Sequence, residues 1–146
     1  MSIEAEANKA VVLRYFLETH NPPYNLAVID ETCAPAYAQG RWRWMRIERT
    51  AFPDARYTID AVVAEGDTVV LRVDFTGTHL GPFWTPVGTV PPTGTVCANP
   101  ATGVYRVAEG RIVEEWWAED WLRLLRQLGA AVTFPGRTVT VEPYPA

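Results

Sequence analysis

The stretch Arg111-Ile112-Val113-Glu114-Glu115-Trp116-Trp117-Ala118-Glu119-Asp120 sets four carboxylates among indoles, with a third tryptophan following at Trp121. A carboxyl beside an indole is partly desolvated. Desolvation raises its pKa toward the range in which it can both take and return a proton. A strand has side-chain period two, so regular alternation puts Ile112, Glu114, Trp116, Ala118 and Asp120 on one face. Asp120 also stands where this strand-like run meets a helical one, Trp121 to Leu128. Two roles are open to it: general acid/base in an apolar pocket, and N-cap of the helix. The glutamate or glutamine of a capping box is missing, since Arg123 stands there, and one carboxylate can do both jobs. Glu114, Glu115 and Glu119 read as solvated strand charges.

The chain has two histidines. His20 ends a helical run, where a positive charge is favourable. His79 closes an alternating run within Gly77-Thr78-His79-Leu80-Gly81-Pro82-Phe83-Trp84, and it joins the chemistry only if the sheet curves it toward Asp120. Six Trp, six Tyr and five Phe are many for this length, and the plain reading of most of them is core. Trp42, Trp44, Phe83, Trp84, Trp116, Trp117 and Trp121 are the candidates for the wall of a pocket that takes a flat or polyunsaturated ligand. The chain has no Gly-rich phosphate cradle, nucleophile elbow or two-histidine metal spacing, which argues against nucleotide use, serine-hydrolase chemistry and zinc chemistry.

These residues need elements to position them. Glu4 to His20 reads as an amphipathic helix with Ala5, Val12, Leu13, Phe16 and Leu17 on its apolar stripe, stopped by Asn21-Pro22-Pro23. A short helix capped by Asn25 runs to Thr32, with Pro35 blocking extension, and a third helix spans Arg41 to Thr50. The basic residues Arg41, Arg43, Arg46 and Arg49 then form its outer face. Tyr57, Ile59, Ala61 and Val63 alternate as one strand; Val69, Leu71, Val73 and Phe75 mark a second within Thr68 to Thr78. Glu65-Gly66 and Glu109-Gly110 supply tight turns, so the sheet is antiparallel. Gly77 to Pro100 reads as a long loop and extended arm, followed by a strand around Val104 to Val107. Gly129 closes the last helix in a left-handed cap. The tail 130–146 reads as an arm with a strand-like Thr138 to Val141. Helices first, then a meander, then a short helix describe an α+β fold.

With 146 residues, 48% of them apolar and 21% charged, the chain is expected to form one domain. A net charge of −4 gives no electrostatic footprint for nucleic acid. The start lacks the layout of a signal peptide, and no apolar run approaches the roughly 20 residues that span a bilayer. The expectation is a cytoplasmic protein without membrane contact. Cys33 and Cys97 lack metal-ligand spacing and read as buried thiols.

Several short motifs occur together in a particular order: Ala51-Phe52-Pro53-Asp54, Glu65-Gly66-Asp67, Gly77-Thr78-His79-Leu80-Gly81, Pro92-Thr93-Gly94, Tyr105-Arg106-Val107-Ala108-Glu109-Gly110-Arg111-Ile112-Val113-Glu114-Glu115-Trp116 and Gln127-Leu128-Gly129. The ordered set resembles the SnoaL-like polyketide cyclase family over about residues 4 to 129. The resemblance implies an NTF2-like cone, in which N-terminal helices pack on a strongly curved antiparallel sheet around a deep pocket, often as a homodimer. It implies ring closure on a polyketide ester in natural-product (antibiotic) biosynthesis, by an intramolecular aldol reaction with no cofactor and no metal. The family's acid/base aspartate falls on Asp120, with a second polar pocket residue near Tyr105-Arg106. His79 gains support as a motif residue, and His79 or Arg106 then supplies positive charge to a developing oxyanion. Tyr37, in Ala36-Tyr37-Ala38-Gln39-Gly40, takes a place where many relatives carry histidine or an acid. Tyr37 joins Arg106, Tyr105, Trp42, Phe83, Trp84 and Trp117 as expected substrate-binding residues. The loop after Phe83 and the segment Ala98-Asn99-Pro100-Ala101 depart from the family pattern. Two other readings use the same pocket: epoxide opening or pericyclic closure, and non-catalytic binding or dimerisation.

Overall fold

The structure, a computed structural model, describes residues 2–130. The chain begins with three helices, α1 (Ile3–His20), α2 (Val28–Thr32) and α3 (Pro35–Ala51). Six strands follow: β1 (Arg56–Glu65), β2 (Thr68–Thr78), β3 (Phe83–Thr85), β4 (Gly88–Val90), β5 (Val96–Ala108) and β6 (Arg111–Glu119). The short helix α4 (Trp121–Gln127) ends the described chain. The four long strands form one antiparallel sheet in the order β1-β2-β5-β6, while β3 and β4 make a separate hairpin. Helices packed on a curved, open antiparallel sheet give the expected α+β cone. The strand-like Thr138 to Val141 and the proposed arm lie outside the described residues, apart from Ala130.

Local chemistry explains most of the boundaries. Ser2 caps α1, its hydroxyl accepting from Ala5 N at 3.1 Å. The buried face of α1 is Ala5, Asn8, Val12, Tyr15, Phe16, Thr19 and His20, whereas Leu17 is half exposed. Pro35 starts α3 instead of blocking α2, because at the first helical position the missing N–H costs nothing and the fixed φ is already helical. Helix α3 is therefore longer than expected and runs through Gly40. Glu109 (φ 53°) and Gly110 (φ 72°) make the two-residue left-handed turn joining β5 to β6. Gly129 (φ 78°) takes the left-handed position after α4.

Strand β5 begins at Val96, well before the expected start near Val104, and pairs with β2 all the way from Thr78↔Val96 to Thr68↔Arg106. Sequence reading places this half in the extended arm that ends at Pro100, since Gly77 to Pro100 is rich in Gly, Pro and Thr. Strand β6 ends opposite Ala101, so at Pro100 the sheet continues only toward β2 and the absent N–H breaks no ladder there. Two residues earlier, the side-chain amide of Gln127 takes the place of a neighbouring strand. Ala98 N donates to Gln127 Oε1 at 2.9 Å, and Gln127 Nε2 donates to Ala98 O at 3.0 Å.

Both edge strands carry an extra residue. In β1, Ile59 pairs with Val73 but Ala61 pairs with Arg72, leaving Asp60 unpaired. In β6, Ile112 pairs with Val107 but Glu114 pairs with Arg106, leaving Val113 unpaired. A one-residue bulge exchanges the two faces of the strand beyond it and increases its twist. Hence Val62 and Ala64 turn inward in place of Ala61 and Val63, and Val63 is 63% exposed. On β6 the inward residues become Glu115, Trp117 and Glu119, so Glu114, Trp116 and Ala118 share the outer face and are parted from the buried Ile112, with which they were expected to lie.

Close packing on β5 makes the interior sensitive to one methyl group. A Cβ on Gly103 would lie 2.8 Å from Trp117 Cζ2 and 2.9 Å from Trp117 Cη2. Gly103→Ala should lower stability by about 1–3 kcal/mol, read as a fall in the thermal midpoint. Trp117→Phe, which removes the clashing atoms, should make the same Gly103→Ala change far cheaper in a double-mutant cycle.

Candidate active site inside the cone

Between α1, α3, the sheet and α4 lies a cavity of about 330 Å³. Its volume comes from small residues on β5: Ala101 faces Glu119 across the β5–β6 pair, and Gly103 lets the Trp117 indole lie against the strand. Apolar walls come from Phe52, Phe75, Phe83, Trp84, Trp117 and Trp121, with Leu124 beside them. Phe83 stacks on Trp121 at 6.1 Å between ring centroids, and Phe52 meets Phe83 edge-on at 5.1 Å. The polar groups on the wall are His20, Arg41, Glu48, Tyr57, Asn99 and Glu119.

The charged groups are not equivalent. Glu115 forms an ion pair with Arg41, whose Nε also donates to Tyr15 Oη at 2.8 Å. Glu48 pairs with Arg49 and accepts from Tyr57 Oη at 3.1 Å. Burial pushes the Glu48 carboxyl up, and Arg49 and Tyr57 pull it back. Glu119 has no cationic partner among the described residues. Burial, and then the negative charges of Glu48 and Glu115, push its pKa up to about 7.

His20 is buried at the C-terminal end of α1. Burial, then Arg41 and Arg49, hold its pKa well below the usual histidine value, so it is neutral and not the helix-end cation expected from sequence. Its Nδ1 lies 2.7 Å from Thr19 Oγ1 and 3.2 Å from Phe16 O. The Thr19 hydroxyl hydrogen goes to Tyr15 O at 2.7 Å, so Nδ1 must be the donor to both neighbours. A neutral ring with its proton on Nδ1 leaves a bare lone pair on Nε2.

The residues expected from sequence divide into two groups. Phe83, Trp84 and Trp117 line the cavity. Asp120 is exposed and caps α4, its Oδ1 accepting from Arg123 N at 2.9 Å, and the parity change at Val113 places Glu119 on the wall instead. His79 is buried behind Phe52 and Phe83, its ring 5.3 Å and 6.3 Å from theirs. Its Nδ1 accepts from Thr93 N at 3.3 Å, and its backbone binds Thr95 O and Gly94 N, so it fastens the 93–95 segment. Arg106 pairs with Glu114 away from the cavity. Tyr105 is fully buried in the core opposite Glu115. Trp42 donates to Asp30 Oδ1 at 2.9 Å on the far side of α3, and Tyr37 packs against the core. Of the arginine cluster, Arg41 and Arg49 turn inward and only Arg43 and Arg46 are exposed. Sequence reading missed His20, Arg41, Glu48, Tyr57, Asn99 and Glu119. The doubled residues Ile112-Val113, Glu114-Glu115 and Trp116-Trp117 were the available signal, since each pair leaves strand parity undetermined.

A family model for SnoaL-like polyketide cyclases matches residues 28–128. The chain belongs to that family. A SnoaL-like protein from Jannaschia sp. CCS1, assigned as a polyketide cyclase, is 24% identical, with a TM-score of 0.79 over 90% of this chain and 98% of the other. AclR from Streptomyces galilaeus, assigned as a hydroxylase, is 25% identical, with a TM-score of 0.74 over 90% and 87%. IdmH from Streptomyces antibioticus, assigned as a polyketide cyclase, is 26% identical, with a TM-score of 0.68 over 84% and 99%. No curated protein matches the chain. The NTF2-like fold thus carries over to this SnoaL-like chain. Among the described residues, no helix is long and apolar enough to cross a membrane.

The raised Glu119 pKa ties stability to pH. Glu119 titrates near 7 in the folded protein but in the ordinary carboxyl range when unfolded, so the native state holds an extra proton between those values. Stability therefore falls as pH rises from the ordinary carboxyl range through 7. Glu119→Gln stays neutral and removes that penalty. Its thermal midpoint should exceed the wild-type value at pH 8, and the gap should close toward pH 5. A gap that does not change with pH would show that the carboxyl titrates normally.

Proposed function

We propose that this chain is a cofactor-independent cyclase acting on a polyketide-like intermediate, with Glu119 in place of Asp120 as the proton carrier. One observation carries this reading: a carboxyl poised near neutral pH on the wall of an aromatic cavity. A pKa near the working pH lets one group serve as base and then as acid. In an aldol closure, ionised Glu119 takes the proton from a carbon flanked by carbonyls. That carbon then attacks a second carbonyl carbon of the same molecule, forming the ring bond. The alkoxide oxygen so formed takes the proton back from Glu119, and the product is an isomer of the substrate. The bare Nε2 of His20 accepts a hydrogen bond from a substrate hydroxyl or enol. The aromatic walls hold the chain folded so that its two reacting carbons meet, an effect of proximity.

His79 and Arg106 receive no step, since neither faces the cavity. Asp120 keeps its structural role as the cap of α4. AclR, assigned as a hydroxylase, shares the fold, so the reaction is argued from the cavity and not from the cone.

The test uses a linear polyketide with a carbon flanked by carbonyls and a further carbonyl within ring-closing reach, with formation of an isomeric product as the readout. Glu119→Gln should lower kcat by about 10²–10⁴-fold, the usual weight of a general acid/base. Asp120→Asn keeps a capping oxygen and should remain within a few-fold of wild type. A fully active, folded Glu119→Gln would overturn the assignment. If Glu119→Gln stayed active while trimming Trp84 or Trp117 abolished turnover, that result would favour epoxide opening or pericyclic closure directed by shape. Binding without any isomer formed would favour the non-catalytic reading.

A further inference from the structure

Asn99 is a polar side chain on the cavity wall for which the proton chemistry above has no use. It lies on β5 opposite Phe75, two residues before Ala101, and so shares a face with the residue that pairs with Glu119. It is 4% exposed, and its Oδ1 has no hydrogen-bond partner among the described residues. A buried acceptor left unpaired costs on the order of 1–3 kcal/mol, so such groups are rare without a reason. In strand register it stands opposite Phe75 and two residues from Ala101, neither of which can donate to it. Its position matters too. Val, Ile or Thr would suit the middle of a strand better than Asn, which is disfavoured there. Sequence reading had already marked the segment Ala98-Asn99-Pro100-Ala101 as a departure from the family pattern.

We propose that Asn99 is a specificity-determining residue that hydrogen-bonds a donor group, a hydroxyl or an amide N–H, on the ligand held in this cavity. The side-chain amide also carries N–H donors, so a ligand with a donor next to a carbonyl matches it along one edge. The ligand class is then a flat, largely apolar molecule bearing a hydroxyl or N–H beside a carbonyl. Because Asn99 and Glu119 stand on adjacent strands of the same wall, the anchored edge lies next to the reacting carboxyl. The selectivity arises from an asymmetry: a ligand lacking the donor would leave Oδ1 buried and unpaired, which disfavours it more than one extra hydrogen bond favours its rival.

This inference rests on the cavity being the ligand site of the proposed cyclase, but its test does not need turnover. Naphthalene-2-carboxamide and 2-acetylnaphthalene have nearly the same shape and differ by an NH₂ in place of a CH₃. Binding of each is followed by quenching of the cavity tryptophans, Trp44, Trp84, Trp117 and Trp121. The readout is the ratio of the two dissociation constants, ketone over amide, which cancels their different hydration when compared between wild type and variant. Asn99→Leu should lower this ratio about tenfold, the weight of one net hydrogen bond. Asn99→Val, whose side chain suits a strand, gives the same reading if the leucine variant does not fold. A ratio unchanged in the folded variant, with both probes still binding, overturns the role of Asn99 and leaves the cyclase reading standing. If neither probe binds wild type, the cavity is not an apolar ligand site, and both readings fall.

Discussion

Val113 has no partner on β5, and because strand side chains alternate strictly, this unpaired residue exchanges the two faces of β6 for everything after it. With it in place, Glu115 meets Arg41, Trp117 lies over Gly103, and Glu119 enters the cavity. Without it, those positions would pass to Glu114, Trp116 and Ala118. A carboxylate and an indole would still stand at the first two positions, but Ala118 would leave the cavity without its titrating group. The matching bulge at Asp60 on the opposite edge does the same for β1, turning Val62 and Ala64 inward. Curvature of the sheet and contents of the cavity thus share one cause.

The buried charges follow a simple arrangement. An ion taken out of water needs a counterion and hydrogen bonds, or it neutralises. Glu115 has Arg41, and Glu48 has Arg49 with the Tyr57 hydroxyl. Burial pushes both carboxyls up, and these partners pull them back. Glu119 alone of the three lacks a cation among the described residues, and its two charged neighbours act on it as like charges. Its chemistry is thereby set by the pairing of the others. Burial keeps His20 neutral, and Arg41 and Arg49 act a second time by reinforcing it, so its Nε2 is free to accept.

Much of this was legible in the sequence. The Glu-Gly hairpins, the alternation of β2 and the Gly129 cap each rest on a local rule, and each appears where the rule puts it, whereas the buried face of α1 is turned from the expected stripe toward Tyr15, Thr19 and His20. The aromatic walls Phe83, Trp84 and Trp117 also appear where expected. The failures were at positions where local rules allow two answers. Proline can stop a helix or start one, and Pro35 starts α3. Proline is excluded from a central strand but allowed where a neighbour has ended, and Pro100 is such a place. A bulge leaves no local mark beyond doubled residues, so strand parity selected Asp120 when the wall carries Glu119. The resemblance to a family pointed to Asp120 as the acid/base, a residue that caps α4 beside the cavity-lining Glu119.

The clamp of Gln127 on Ala98 affects how the protein meets other chains. Beyond the end of β6, β5 presents bare backbone, the kind of edge onto which a stray strand can zip. One side-chain amide occupies the Ala98 donor and acceptor, and Pro100 further along has no donor to offer. The sheet can therefore stop short on this side, leaving room for the cavity, without becoming a template for aggregation.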